Sequence, residues 1–165
     1  MCADRQAASP VNLRVVSCNP EDLPEIEQIL RMSPETAAWS IEALAHALRH
    51  HAPYFLVVRQ EQGIAGFIFG RKMADEAEIL NLAVHPDLRK RGIGNALVGK
   101  LLHTFAQDAV TQVFLEVRES NAAAISFYKK FGFHEIGHRR GYYQNPPEAA
   151  LVFARKATSS ENEPA

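Results

Sequence analysis

Apolar residues recur along the chain in two rhythms, one near two residues and one near 3.6, and the change of rhythm marks the elements. Leu13–Val16 is a short apolar run that predicts a strand. Asn19-Pro20-Glu21-Asp22 then carries helix-start chemistry: a capping Asn, Pro at the first helical position and acids in the first turn. Leu23, Ile26, Ile29 and Leu30 follow at helical spacing. A second helix is predicted from Ser40 to His50, with Ile41, Leu44 and Leu48 on one side. Tyr54–Arg59 and Ile64–Arg71 read as strands joined at Gln62-Gly63, and Glu78–Val84 as a third strand of that group. From Gly94 to Gln107, Leu97, Leu101, Leu102, Phe105 and Ala106 form the stripe of a long helix. Val113–Val117 predicts a strand, Asn121–Phe131 a helix closed by Gly132, and Phe133–Gly137 and Ala150–Ala154 the last strands. The order β-α-α-β-β-β-α-β-α-β-β predicts a mixed sheet with helices packed on it, not a repeating βα array.

Composition narrows the class. With 165 residues, 47% hydrophobic and 22% charged, the chain fits one globular domain with a core that needs no disulfide or metal. We expect that domain over residues 12–156, with disordered tails at 1–11 and 157–165, where the sequence turns small and polar. The net charge of -1 gives no global field toward nucleic acid or membrane, so neither is an expected partner. Cys2 and Cys18 match neither a zinc pair nor a redox CxxC, which points to a reducing compartment. No apolar run approaches the ~18–20 residues of a membrane span, and Met1–Pro10 has no apolar signal segment; the expected location is cytoplasmic. Seven histidines (46, 50, 51, 85, 103, 134, 138) form no HExxH and have no carboxylate cluster beside them, so no metal is expected.

The strongest local signal is Val84-His85-Pro86-Asp87-Leu88-Arg89-Lys90-Arg91-Gly92-Ile93-Gly94. A strand ends, Pro86 stops the ladder, and a basic loop with two glycines opens a helix. Gly92 and Gly94 let backbone N–H groups approach a ligand closely, and these amides with the helix N-terminus favour an anion. Arg89, Lys90 and Arg91 add positive charge. A pyrophosphate suits this loop better than a simple solvated turn does. It is neither a P-loop nor a GxGxxG fingerprint.

Arg89-x-x-Gly92-x-Gly94, with Asn81-Leu82-Ala83-Val84-His85-Pro86 before it, resembles the acetyl-CoA pyrophosphate motif of the GCN5-related N-acetyltransferases (GNAT). The likeness continues through Leu115-Glu116-Val117-Arg118-Glu119-Ser120-Asn121 and Phe127-Tyr128-Lys129-Lys130-Phe131-Gly132-Phe133. These stretches, with Arg139-Arg140-Gly141-Tyr142-Tyr143 and Trp39-Ser40, are similar to the bacterial ribosomal-protein-alanine branch of that family. The resemblance implies an α/β (α+β) fold with a mostly antiparallel sheet of about seven strands and about four helices. It implies acetyl-CoA as acetyl donor and a protein N-terminus as acceptor, that of a small-subunit ribosomal protein. It further implies that backbone groups of Leu82, Ala83 and Val84 pair with the pantetheine arm. The loop from Arg89 through Lys90, Arg91, Gly92, Ile93, Gly94 and Asn95 would hold the pyrophosphate, and Asn121 would bond the cofactor. Glu116 would be general base and Tyr128 general acid, and Trp39, Tyr142 and Tyr143 would line the acceptor groove.

The residues themselves leave alternatives open. Alternation puts Glu116 on the face of Gln112, Phe114 and Arg118, where by itself it is a solvated carboxylate. Tyr128 shares the apolar face of its helix with Ala124 and Ile125, as a core tyrosine would. Asn121 suits an N-cap as well as a cofactor contact. Tyr142-Tyr143 are expected on the hairpin loop between the last two strands, where packing alone would also place them, and Arg139-Arg140 at a solvated strand end. The branch carries Glu-Asp-Ala where this chain has Glu148-Ala149-Ala150, and Pro where it has Ala38, so the acceptor is less determined than the chemistry. A lysine side chain, a free small amine, or a coenzyme-A-binding module without turnover are the rival readings.

Overall fold

The computed structural model describes residues 13–157. Cys2 and the expected tails lie outside the described residues except for Ala157, whose N–H donates to the Thr111 carbonyl at 2.9 Å. The elements are β1 (Val15–Ser17), α1 (Leu23–Arg31), α2 (Ile41–His51), β2 (Phe55–Gln60), β3 (Gly63–Met73), β4 (Glu76–Val84), α3 (Ile93–Gln107), β5 (Gln112–Arg118), α4 (Ala122–Lys130), β6 (His134–Gln144) and β7 (Pro147–Lys156). One sheet runs β1-β2-β3-β4-β5-β7-β6. Every neighbouring pair is antiparallel except β4–β5. The predicted order and kinds of element are the ones found.

Two boundaries differ for physical reasons. The turn predicted to open α1 forms instead a separate 3-10 turn over Pro20–Asp22. Its buried Asp22 carboxylate accepts from the Asn19 N–H at 2.7 Å and from Arg59 at 2.6 Å, which draws that turn tight against β2. The last hairpin is much longer than the apolar pattern indicated. β6 runs on to Gln144, so Tyr142 and Tyr143 lie on the strand itself, Tyr143 opposite Glu148, and not on a loop. A register shift between Arg139 and Tyr143, with Gly141 at φ +62°, breaks the alternation that would have shown the strand.

The sheet is covered unevenly. α3 and α4 pack Leu97, Leu101, Phe105 and Tyr128 against Ile79, Leu115 and Phe153. α1 and α2 cover the opposite face only over the first four strands, through Ile26, Leu44, Phe55 and Phe67. Truncating a buried Phe such as Phe105 would cost about 3–5 kcal/mol. On β5 the buried residues Val113, Leu115 and Val117 alternate with partly exposed Gln112, Phe114, Glu116 and Arg118. That second set faces the half of the sheet that α1 and α2 leave open.

A split in the sheet positions the site. β4 and β5 pair only from Glu76↔Gln112 to Ile79↔Leu115. Just beyond, the β3–β4 register shifts between Phe69 and Gly70, so β4 carries an extra residue at Leu80. Gly70 is required there: a Cβ would lie 2.5 Å from the Glu78 carbonyl and 2.9 Å from the Phe105 ring. From Leu80 to Val84 and from Glu116 to Arg118 the two strands continue without pairing to each other.

Candidate active site

The loop after β4 is built to expose its backbone. A 3-10 turn over Pro86–Leu88 follows the strand, and Lys90 (φ +62°) and Gly92 (φ +82°) take left-handed conformations before α3 begins. The backbone N–H groups of residues 89–95 have no hydrogen-bond partner among the described residues. The α3 N-terminus has no side-chain cap and no acid in its first turn. Unused amides, the positive helix end and exposed Lys90 and Arg91 fit a diphosphate. Gly94 sits under Phe127 of α4, whose ring would be 3.4 Å from a Cβ. Arg89 turns the other way. Its guanidinium lies 2.9 Å from Glu35 and donates to Ser33 Oγ at 3.0 Å and to the Val84 carbonyl at 3.2 Å. Its charge is spent tying the α1–α2 connection to the end of β4. Asn81, buried, adds a second tie by donating to the Ala37 carbonyl at 3.0 Å.

The split between β4 and β5 opens into a cleft that brings together Leu82, Glu116, Asn121, Tyr128, Tyr142 and Tyr143, with Trp39 beside them. Trp39 directly precedes Ser40, whose Oγ caps α2 by accepting from Ala43 N–H at 3.2 Å, and its ring meets Phe69 edge-on at 4.8 Å. Ala83 points away into the α1–α2 core, while Leu82 and Val84 pack toward α3. At the start of α4, Asn121 Oδ1 accepts from Ala124 N–H at 3.1 Å, so the cap role is filled and its amide NH₂ remains for another partner.

Tyr128 is held by the end of its own helix. Gly132, at φ +81°, lets its N–H donate to the Lys129 carbonyl and the Phe133 N–H donate to the Tyr128 carbonyl. The Phe133 ring meets Tyr128 at 5.7 Å in the hydrophobic contact that accompanies this motif. The Tyr128 hydroxyl has no hydrogen-bond partner among the described residues although the residue is 8% exposed. Burial first, and the nearby Tyr143 second, raise its pKa above the ordinary phenol value. The group therefore stays a neutral proton donor throughout the working pH range.

Glu116 sits at the junction of the cleft and the open sheet face. The Arg139 guanidinium of β6 is 3.2 Å from its Oε1. The Tyr142 hydroxyl faces Glu116 and is pushed up to about 12, first by hydrogen bonding toward that carboxylate, with burial and the carboxylate charge adding. Tyr143 is also raised, by burial, against the lowering effect of Arg118. Arg139, expected to end a strand in solvent, is thus a partner of the candidate base. Sequence reasoning missed it because the bulge in β6 removes the alternation that would have placed it on the Glu116 side. Arg118 was inside a recognised motif, yet nothing in its spacing pointed to the contacts described below.

The profile of the acetyltransferase (GNAT) family matches residues 21–133. The chain belongs to the GNAT family. It is 37% identical over 138 residues to the ribosomal protein bS18-alanine N-acetyltransferase of Salmonella typhimurium, covering 76% of this chain and 93% of that protein. Its structure resembles that of the ribosomal-protein-S18-alanine N-acetyltransferase from Escherichia coli at 31% identity and a TM-score of 0.76, covering 92% of this chain and 99% of that one. It also resembles Ard1 from Thermoplasma volcanium, at 30% identity and a TM-score of 0.83, over 88% and 98% of the two chains. As a GNAT enzyme the chain is an acetyl-CoA-dependent N-acetyltransferase. Among the described residues no group of three or more His, Cys, Asp or Glu side chains is placed to hold a metal, and no helix is long and apolar enough to cross a membrane.

Proposed function

We propose that this GNAT enzyme acetylates the α-amine of a protein whose N-terminal residue is alanine, in the cytoplasm, with a small-subunit ribosomal protein as acceptor. Its relatives of that activity and the pairing of Glu116 and Tyr128 in one cleft support the reading; the pairing is the observation that carries it. Residues 90–95 would hold the donor's diphosphate, Leu82, Ala83 and Val84 its pantetheine arm, and Asn121 would bond it through the amide left free by the cap. Arg89 would act through its backbone only. Acetyl-CoA supplies the acetyl group as a thioester.

The protein's own part is proton handling and placement. Glu116 takes a proton from the acceptor amine, directly or through a water, and Tyr128 gives its hydroxyl proton toward the sulfur. A neutral amine is needed for attack. An α-amine has a pKa of about 7.7–8.0 and a lysine about 10.4, so a lysine costs roughly 3.4 kcal/mol more to deprotonate near neutrality. An N-terminal acceptor therefore asks less of one carboxylate that already pairs with Arg139. Trp39, Tyr142 and Tyr143 would contact the first acceptor residues. Mass analysis of products decides it, with an alanine-starting peptide, its N-terminally blocked lysine-containing counterpart and free small amines offered together. Acetylation of the first alone is expected; preference for the blocked peptide or a free amine overturns the reading.

A further inference from the structure

Arg118 is the last residue of β5, and neither the donor site nor the proton chemistry uses it. Its side chain is 11% exposed. The guanidinium stacks over the Tyr143 ring at 4.1 Å from its centroid. It donates to the Pro146 and Asn145 carbonyls, each at 3.4 Å, and lies 3.5 Å from Glu148 Oε2. Glu148 Oε1 in turn accepts from the Ser120 N–H at 3.1 Å, closing a loop back to the end of β5. One planar group thus grips the β6–β7 hairpin at three places: the end of β6, the turn, and the start of β7. The grip is imperfect, because Arg118 Nε is buried without a hydrogen-bond partner among the described residues.

That orphaned donor is informative. A buried cation with an unmet N–H is a poor device for stability, and an apolar side chain of like volume would serve as well or better. What an apolar residue cannot do is fix the direction of a tyrosine ring and two turn carbonyls at once; the guanidinium fork does. The hairpin it fixes carries Tyr142, which shares the cleft with Glu116, and Tyr143, which lines it too.

We infer that Arg118 is a positioning residue for the acceptor: it holds Tyr143 and the β6–β7 turn at the mouth of the cleft and so sets acceptor recognition without acting on acetyl-CoA. This rests on the reading that the tyrosine pair faces the acceptor. The test is steady-state kinetics of Arg118→Met and Arg118→Lys with whichever amine acceptor the wild type turns over. Acceptor KM should rise about tenfold or more, the scale of a misplaced binding group, while kcat and the thermal shift produced by acetyl-CoA stay near wild type. Arg118→Lys, which keeps the charge but not the fork, should rescue little, and it serves if Arg118→Met does not fold. Arg118→Lys combined with Tyr143→Leu should raise KM no further than Tyr143→Leu alone. Amide exchange across residues 139–149 should quicken in Arg118→Lys while the core strands β2–β4 hold. An unchanged acceptor KM with a lowered Tm would make Arg118 structural only. Additive effects with Tyr143→Leu, or equal loss of acetyl-CoA affinity, would overturn the inference as well. A wild type that prefers the blocked lysine peptide refutes the alanine reading and leaves this test intact with that peptide, and the exchange measurement needs no acceptor.

Discussion

The two walls of the cleft are made of different material. The proposed donor wall is backbone: consecutive amides from residues 89–95 without a partner among the described residues, a strand edge from Leu80 to Val84, and glycines in the loop itself. The proposed acceptor wall is side chain: Trp39, Glu116, Arg118, Arg139, Tyr142 and Tyr143, drawn from three separate segments. A backbone wall binds whatever presents the common diphosphate and pantetheine. A side-chain wall changes with each substitution. One fold can therefore keep its donor and vary its acceptor, and the two walls should fail independently.

The sharpest break of that independence lies in the phosphate loop. Gly92→Val places a β-branched residue at φ +82°, a conformation costing about 1–3 kcal/mol that the loop relieves by moving its amides. The stabilisation from acetyl-CoA, about 2.7 kcal/mol at a hundredfold excess over Kd for an intact site, should vanish in a thermal melt. Turnover should vanish with it. A folded Gly92→Val that still shifts with acetyl-CoA would mean that the diphosphate binds elsewhere.

Glu116→Gln tests the other wall. It keeps shape and the Tyr142 contact but removes the base, so kcat/KM should fall ~10²–10⁴-fold near neutrality, with the acetyl-CoA thermal shift intact. The loss should shrink as pH rises past the acceptor pKa, since the amine then arrives neutral; for an alanine terminus that begins near pH ~8. Tyr142 stays protonated across this window, having been pushed up to about 12, so it does not confuse the profile. A variant-to-wild-type ratio that ignores pH would make Glu116 a positioning group.

Tyr128→Phe stands between the walls and should cost less. Burial raises the phenol pKa, which makes the hydroxyl a reluctant acid toward a thiolate of pKa about 8.5. A loss at the low end, about 10²-fold in kcat, is expected, with acetyl-CoA affinity unchanged because the ring still packs on Phe127 and Phe133. Wild-type turnover with chemistry rate-limiting would leave Tyr128 a core residue.

How much of this was legible in the sequence follows the same division. Backbone work leaves local marks: glycines at fixed offsets, Pro86 ending a strand, a capping Asn121. The donor wall, β4, α3 and α4 could therefore be read from short windows. Arg89 is the exception, since its motif position is right for the loop while its guanidinium serves Glu35 and Ser33, partners more than fifty positions away. The acceptor wall depends on register. A bulge between Arg139 and Tyr143 shifts which residues face Glu116, and no periodicity survives a bulge. The split of β4 from β5 was equally hidden: it lies beside the β3–β4 register shift at Gly70, where there is no room for a Cβ against the Glu78 carbonyl and the Phe105 ring, a closeness that exists only in three dimensions.

The smallest effect tests the electrostatics of the acceptor wall. All four tyrosines of the chain have hydroxyls raised above the ordinary value: Tyr54 to about 12 by burial and its bond to Asp108, Tyr142 to about 12 by hydrogen bonding toward Glu116, and Tyr128 and Tyr143 by burial. A phenol whose folded pKa exceeds its unfolded value near ~10 contributes stability that is complete below pH ~10 and lost as pH climbs through the folded pKa. The native protein should show less tyrosinate absorbance at pH 10 than the unfolded protein, and its melting temperature should fall as pH climbs from about 10 to 12. The unfolded protein should titrate near pH ~10. Tyr142→Phe should lower the neutral-pH melting temperature only slightly, because the residue is 46% exposed and solvent screens its interaction with Glu116, and should remove one late ionisation. If the native protein instead released a proton near pH 10, and Tyr142→Phe abolished that step, the Tyr142 hydroxyl would not be bonded to Glu116. The acceptor wall would then lose the contact that couples its tyrosines to the base.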